Sequence, residues 1–241
     1  MVEMKEIPAL LAEGVTIRFG DEALPVLSNV SFRIEQGERV ALIGLNGSGK
    51  STLLAALVGL MPIEGGRIEV LGTPLEASSV EDIRQMVGFL FSVPDDQILF
   101  PRVIDDVAFT LIQRGFSPVA ARLKAQEVLE RLGVMDQASR PPDELSHGQR
   151  LRVALAGAIV ADPPLLLLDE PSSGLDPVGR QSLIQTLLEL PSTMLVATHD
   201  LGFAARTCTR YLMLENGAIV EEGQDFSAVD RRWGIVAEAR Q

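Results

Sequence analysis

The stretch that most restricts this chain is Gly44 to Thr52, G-L-N-G-S-G-K-S-T, which fits the spacing G-x-x-x-x-G-K-[ST]. Glycines at Gly44 and Gly49 let the backbone take positive φ and approach a ligand with no Cβ intervening. Successive N–H groups then face a concavity suited to phosphate oxygens, and the positive end of the following helix reinforces it. Lys50 brings a compact cation to the β- and γ-phosphates, and Ser51 offers a hydroxyl to Mg2+. The flanks match what such a loop needs. Arg39 to Ile43 is an apolar run suited to a buried strand, and Ser51 to Leu60 holds helix formers until Gly59 and Pro62 stop it. The reading is a nucleoside triphosphate site, with Asn46, Gly47, Ser48, Gly49, Lys50, Ser51 and Thr52 around the phosphates.

On either side, the pattern alternates between strands and helices. Val15, Ile17 and Phe19 alternate with Thr16 and Arg18, and Val30, Phe32 and Ile34 alternate with Ser31 and Arg33. Gly20-Asp21 and Gln36-Gly37-Glu38 read as turns. Arg67 to Leu71 and Val87 to Phe91 are further strands, with Gly72-Thr73-Pro74 turning the first. From Asp95 to Pro142 strand patterns fade, and two helices are expected. One runs Ile104 to Arg114; the other starts at Pro118 behind Ser117 as N-cap and stops before Gly133. Ser146-His147-Gly148-Gln149 is a capping box opening a helix to Val160. Leu165 to Leu168 is a buried strand, followed by helix (Pro177 to Leu190), strand (Thr193 to Ala197), helix (Leu201 to Arg206) and strand (Tyr211 to Leu214). Asn216-Gly217 marks a hairpin.

Such alternation implies a mostly parallel sheet, whose ligands gather at the C-terminal ends of its strands. Asp169 ends the leucine run, where its carboxylate can hold Mg2+ through water beside Ser51. Glu170 follows and can polarise an attacking water, a contribution of roughly 10²–10⁴ in rate. His199, after the strand from Thr193, can donate to a γ-phosphate; taken alone it would equally suit a structural histidine.

Composition narrows the classes. A net charge of −12 argues against a sequence-independent grip on nucleic acid and against a polybasic membrane anchor. The single cysteine, Cys208, rules out an internal disulfide, and the two histidines, His147 and His199, lack metal-ligand spacing. No secretory signal pattern opens the chain, and its longest apolar stretch, Leu53 to Ile63, falls short of the roughly 20 residues a membrane helix needs. Work at a membrane would therefore go through partners.

Taken together, these residues resemble the nucleotide-binding subunit of ABC transporters over nearly the whole chain. G-L-N-G-S-G-K-S-T is similar to its Walker A motif and L-L-L-L-D-E-P to its Walker B. Leu145 to Arg150, L-S-H-G-Q-R, is similar to the signature, Ser173 to Asp176 to the D-loop, and Thr198-His199-Asp200 to the switch histidine. The resemblance implies a P-loop NTPase of α/β class: a mostly parallel core, an N-terminal antiparallel β subdomain and an inserted helical subdomain. In this scheme residues 1–94 and 163–225 form the core and β subdomain, 95–162 the helical subdomain with the signature, and 226–241 a short tail. The resemblance also implies a head-to-tail pair sandwiching ATP and Mg2+, with Ser146, Gly148 and Gln149 of one subunit on the γ-phosphate held by the other. A copy of the same chain or a paralogous ATPase would be the partner.

Phe19 matches the position where this family stacks an aromatic on adenine, although it also extends the apolar face of Val15 and Ile17. Two residues depart from the family pattern. His147 replaces the first signature glycine, while Gly148 is kept. Ser92 stands where the family has a glutamine that touches Mg2+ and relays closure, so either a water intervenes or Gln97 takes over part of that coupling; Asp176 of the D-loop is the other coupling candidate. Pro94 to Phe109, P-D-D-Q-I-L-F-P-R-V-I-D-D-V-A-F, is similar to the energy-coupling-factor importers, and Leu190 to Leu201 to their cobalt/nickel branch. The implied partners are an integral membrane coupling subunit, docking near Ser92 and the helical insert, and a substrate-binding membrane subunit, with the chain peripheral on the cytoplasmic face. Biotin or another vitamin as cargo, a soluble non-transport ABC ATPase, and an ATP-gated assembly module are the alternatives.

Overall fold

The computed structural model of the chain describes residues 7–20 and 24–233. In chain order these form β1 (Leu10–Ile17), β2 (Leu27–Ile34), β3 (Arg39–Ile43), α1 (Lys50–Leu57), β4 (Gly65–Val70), β5 (Thr73–Pro74), α2 (Val80–Met86), β6 (Val87–Leu90) and α3 (Val103–Gln113). Then come α4 (Pro118–Arg131), α5 (His147–Ile159), β7 (Leu165–Asp169), α6 (Pro177–Glu189), β8 (Thr193–Thr198), α7 (Leu201–Thr207), β9 (Arg210–Glu215), β10 (Ala218–Gly223) and α8 (Phe226–Arg232). The backbone divides into two compact units, Met1–Val80 with Leu195–Gln241, and Glu81–Met194.

In the first unit, β2-β1-β4-β5 form an antiparallel sheet. Its register pairs Leu10 with Ile34 and Val70, and Ala12 with Phe32 and Ile68, so these side chains share one buried face. Between Ala12 and Val15 the register shifts by a bulge. Gly14 sits there at φ +63, and a side chain on Gly66 opposite would meet the Glu13 carbonyl at 2.5 Å. The bulge explains how burial passes from even positions (Leu10, Ala12) to odd ones (Val15, Ile17) without exposing an apolar residue. Strands β10-β9-β3 lie in that order in the same unit, followed by β8 from Leu195 on, with β3 and β9 parallel and Asn216-Gly217 closing the β9–β10 hairpin at positive φ. Val40 to Ile43 are fully buried, as a strand covered on both faces requires.

In the second unit, β6 and β7 pair in parallel, Val87 opposite Leu165 and Leu90 opposite Leu168. A Cβ on Gly88 would stand 2.3 Å from the Ala158 carbonyl, so glycine is what lets the end of α5 cross β6 this closely. Helices α3, α4 and α5 pack on one another. Val103, Val107 and Leu111 of α3 and Ala121, Ala125 and Leu129 of α4 bury one stripe each at helical spacing. Ser117 caps α4, its Oγ accepting from Ala120 N at 3.3 Å.

The expected strands and helices are present, with ends displaced by one to three residues. Two helices were not foreseen. α2 carries Glu81 and Asp82 in its first turn, a start signal overlooked beside the strand that follows. α8 begins at Phe226 in what the sequence suggested was only tail; Asp225 caps it and Arg232 reaches Glu215 and Glu221. The expected turn at Asp21 and the tail beyond Trp233 lie outside the described residues.

Candidate functional site

In the first unit β3 ends at Ile43, the loop Gly44–Gly49 turns, and α1 begins at Lys50. Gly47 and Gly49 take φ +80 and +104, conformations that side chains other than glycine rarely adopt. A Cβ on Gly44 would lie 2.5 Å from both the Leu214 carbonyl and Ser48 Oγ, and one on Gly49 2.6 Å from Leu27 Cδ2. A Cβ on Gly47 would meet nothing, so the mouth of the loop is open at that point. Lys50 Nζ is folded back across the loop, donating to the Gly44 carbonyl at 2.8 Å and the Leu45 carbonyl at 3.3 Å. Ser48 Oγ is buried with no hydrogen-bond partner. No side chain caps α1; its cap is Gly49, whose own carbonyl accepts from Leu53 N. The first turn of α1, with Ser51 and Thr52, thus opens directly behind the loop that holds Asn46, as a helix start that can receive an anion requires. A nested lysine, an orphaned buried hydroxyl and a glycine-lined cradle fit a polyphosphate.

Phe19 lies beyond the end of β1 and is 39% exposed. It is not a member of the core face with Val15 and Ile17, so the packing reading does not hold for it. Exposed His199 follows β8; Asp200 N donates to Thr198 Oγ1 at 3.0 Å and Asp200 Oδ1 accepts from Phe203 N at 3.0 Å, fixing the backbone on both sides of the imidazole.

In the second unit, Leu165 to Leu168 are completely buried and deliver Asp169, 3% exposed, at the strand end. Glu170 comes next with φ +49, a conformation uncommon for a residue with a side chain. Its carbonyl accepts from Ser173 N at 3.0 Å, closing a tight turn. Asp176 ends that turn as the N-cap of α6, its Oδ1 accepting from Gly179 N at 2.6 Å. Sequence reasoning placed Asp176 in a coupling loop and missed this cap, although Asp-Pro at a helix start is its ordinary signal. The α5 capping box is complete: Ser146 Oγ accepts from Gln149 N at 3.3 Å, and Gln149 Oε1 accepts from Ser146 N at 2.8 Å. Exposed Ser146 keeps its own O–H to donate.

Ser92 is exposed just past β6. Gln97 is committed within the unit: its Oε1 accepts from Phe91 N at 3.1 Å and its Nε2 donates to the Ala154 carbonyl at 2.8 Å, tying the end of β6 to the middle of α5. Beside it lies a cleft of about 420 Å³ lined by Phe89, Phe91, Phe100, Phe109, Arg114 and Asp106 among others. Asp106 Oδ1 accepts from Leu99 N at 2.8 Å and Phe100 N at 3.1 Å, and burial pushes its carboxyl above the usual range despite those bonds. Sequence reasoning did not single out Asp106, nor the contact of His147 with Ser173. No helix among the described residues is long and apolar enough to cross a membrane.

Comparison with known proteins supplies the context for these features. The family model described as ABC transporter matches residues 27–173. A putative ABC transporter ATP-binding protein of Gloeobacter violaceus is 47% identical over 199 residues, 82% of each chain. The energy-coupling factor transporter ATP-binding protein EcfA1 of Enterococcus faecalis is 42% identical over 207 residues, 84% of this chain and 74% of that one. Among solved structures, cbiO1 from Clostridium perfringens, described as part of the ABC transporter complex cbiONQ, superposes with a TM-score of 0.81 at 29% identity over 97% of this chain and 94% of the other. The cassette MJ0796, in a dimeric post-hydrolysis state bound to ADP and Pi, superposes with a TM-score of 0.82 at 29% identity over 89% and 98%. A phosphate loop between strand and helix, a buried carboxylate closing a leucine strand and a box-capped helix are thus found in a chain that belongs to the ATP-binding, ATP-hydrolysing subunits of ABC transporters and is of the energy-coupling-factor type.

Proposed function

We propose that this chain powers an energy-coupling-factor importer for cobalt or nickel ions, working as one half of a head-to-tail pair on the cytoplasmic face of a membrane. The observation that carries the reading is that one chain holds two helix starts of a kind suited to phosphate, the glycine-capped α1 behind its open loop and the box-capped α5. Two copies, or one copy and a paralogue, can each lend the other a missing half. The choice of cargo is supported by the similarity of Leu190 to Leu201 to the cobalt/nickel branch.

In this reading Asn46 to Thr52 cradle the phosphates, Lys50 leaves its carbonyl partners for the β- and γ-phosphates, and Phe19 stacks on adenine. The hydroxyl of Ser51 and the carboxylate of Asp169 are hard oxygen donors that suit Mg2+, with Ser92 contributing through water. That ion, when bound, neutralises charge developing on the phosphates. Glu170 polarises the attacking water, and His199 donates to the γ-phosphate and orients it. Ser146, Gly148 and Gln149 of the neighbouring subunit close on the same phosphate. Gln97 passes motion of the Ser92 loop into α5, and Asp176 carries the D-loop side of the coupling. The aromatic cleft receives an element of a membrane coupling subunit, which works with a substrate-binding membrane subunit.

The test is uptake by a reconstituted complex of this chain with its membrane subunits. ATP-dependent entry of Co2+ or Ni2+, absent with Glu170→Gln, is expected. Vitamin uptake in place of metal uptake sinks the cargo, and a hydrolysis-dead, ATP-trapped variant that stays monomeric within the complex sinks the pair.

A further inference from the structure

His147 is the residue the nucleotide scheme leaves without a task. It occupies the first position of α5, directly after the Ser146 cap, and its ring lies against the turn that follows Glu170. Its Nε2 is 3.3 Å from the Ser173 carbonyl. A carbonyl oxygen only accepts, so the proton on the ring must sit on Nε2 for this contact to be a hydrogen bond. The ring also covers Gly174, which is at φ +69. A Cβ there would come within 2.6 Å of His147 Cδ2 and 2.9 Å of Nε2. Ser173 is thus held from two sides, its C=O by His147 and its N–H by the Glu170 carbonyl at 3.0 Å. Glu170 itself has φ +49, a conformation that persists only where the surroundings over-determine it.

We propose that His147 is a positioning residue for ATP hydrolysis: it clasps the Ser173–Gly174 turn to the start of α5 and through that turn sets the backbone that presents Glu170. The inference rests on the reading of Glu170 as the group that polarises water. It gives the histidine in the signature a physical role that a glycine at the same place could not fill. It also links, within one subunit, the helix that meets the neighbour's γ-phosphate to the turn behind its own Glu170. Closure of a pair would then be felt at Glu170 through a hydrogen bond and a ring contact.

The experiment compares steady-state ATPase activity of the purified complex carrying His147→Gln, His147→Phe or His147→Gly. The phenylalanine keeps a ring over Gly174 without a donor, and the glutamine puts an amide N–H near the place of Nε2. Loss of one net hydrogen bond corresponds to a fall in kcat of about 3- to 10-fold, with KM for ATP within about twofold. That fall is expected for Phe and Gly, and His147→Gln should recover at least half of the parent rate. Parent-like kcat in both Phe and Gly, or Gln no better than Phe, overturns the clasp. So does a raised KM with unchanged kcat, which would mean that His147 reads the nucleotide itself. Gly174→Ala supplies an independent arm. Its Cβ displaces the ring, so it should lower kcat by a larger factor in the parent than in His147→Gly, and equal losses overturn the proposal. Should His147→Gly not fold, His147→Ala, which also lacks ring and donor, serves as that background. Glu170→Gln run alongside keeps the two readings apart: parent-like turnover there sinks the role of Glu170, whereas a dead Glu170→Gln beside parent-like His147 variants sinks only the clasp.

Discussion

Two helix starts in this chain solve the same electrostatic problem in opposite ways. α1 begins behind Gly49 at φ +104 with no side chain over its first turn. α5 begins behind Ser146 with both members of a capping box engaged. Every helix begins with N–H groups that have no partner inside it. At α1 no side chain covers them, and the loop before them is held by contacts with the Leu214 carbonyl and the Leu27 side chain too close to admit a Cβ at Gly44 or Gly49. At α5 they are largely met by the chain's own side chains, and what remains for a ligand is the Ser146 O–H and the backbone near Gly148. In the proposed pair the first start would hold the nucleotide, and the second, already capped by its own side chains, would add its donors to a phosphate held by the neighbouring subunit.

The sharpest way to break this contrast is Gly49→Ala. Strain at a left-handed position costs about 1–3 kcal/mol, and Leu27 must also shift to admit the new methyl. Where binding must restore the strained loop, that cost converts to a fall in nucleotide affinity of about 5- to 150-fold. Equilibrium nucleotide titration with a denaturant curve checks it, and parent-like affinity would mean the loop is not held as described.

At the other helix, Ser146→Ala should cost about 1 kcal/mol from loss of the cap. Ser146→Asp, a cap of equal rank, should restore that stability while offering a phosphate no donor. If Asp restores full ATPase activity as well, Ser146 acts only as a cap, and the two helix starts differ in stability alone.

Ser92→Ala is expected to leave unfolding unchanged, since the side chain is exposed, and to lower coupled transport more than ATP binding. Equal transport by variant and parent would dispose of a role for Ser92. The smallest effect concerns Asp106 in the aromatic cleft. Its carboxyl is held above the ordinary value by burial, so its folded form favours the proton. Its contribution to stability is therefore fully present below the unfolded pKa and is lost as pH rises through the raised one. Asp106→Asn keeps an oxygen for Leu99 N and Phe100 N, and should flatten that part of the stability–pH curve. An unchanged curve would show that the carboxylate is not the source of the slope.

Much of this was written in residues close together along the chain. The Ser117 and Ser146 caps and the Asn216-Gly217 hairpin each depend on φ preferences and hydrogen bonds spanning four residues or fewer, so neighbours alone specify them, and the phosphate loop is announced by residues within nine of one another. The overlooked α2 and the cap at Asp176 belong to this class too; their signals were present but unused.

Other features had no local signal. Phe19 continues a perfect alternation in sequence, but the strand ends at Ile17 and leaves it exposed. Gln97 was a candidate for coupling by sequence, but that its amide would bridge Phe91 and Ala154 could not be read from its neighbours. His147 meets Ser173 only because the start of α5 and the turn after β7 are folded against each other within one unit. By itself, then, the amino-acid sequence determined the local chemistry of this protein: which groups are of the kind that suits phosphate, which helices are capped and to which family the chain is similar. Only the tertiary structure decided which of those groups are already engaged and which stay accessible, because burial and long-range hydrogen bonds depend on every element that packs around a residue, while capping and turn geometry depend on the next few peptides alone.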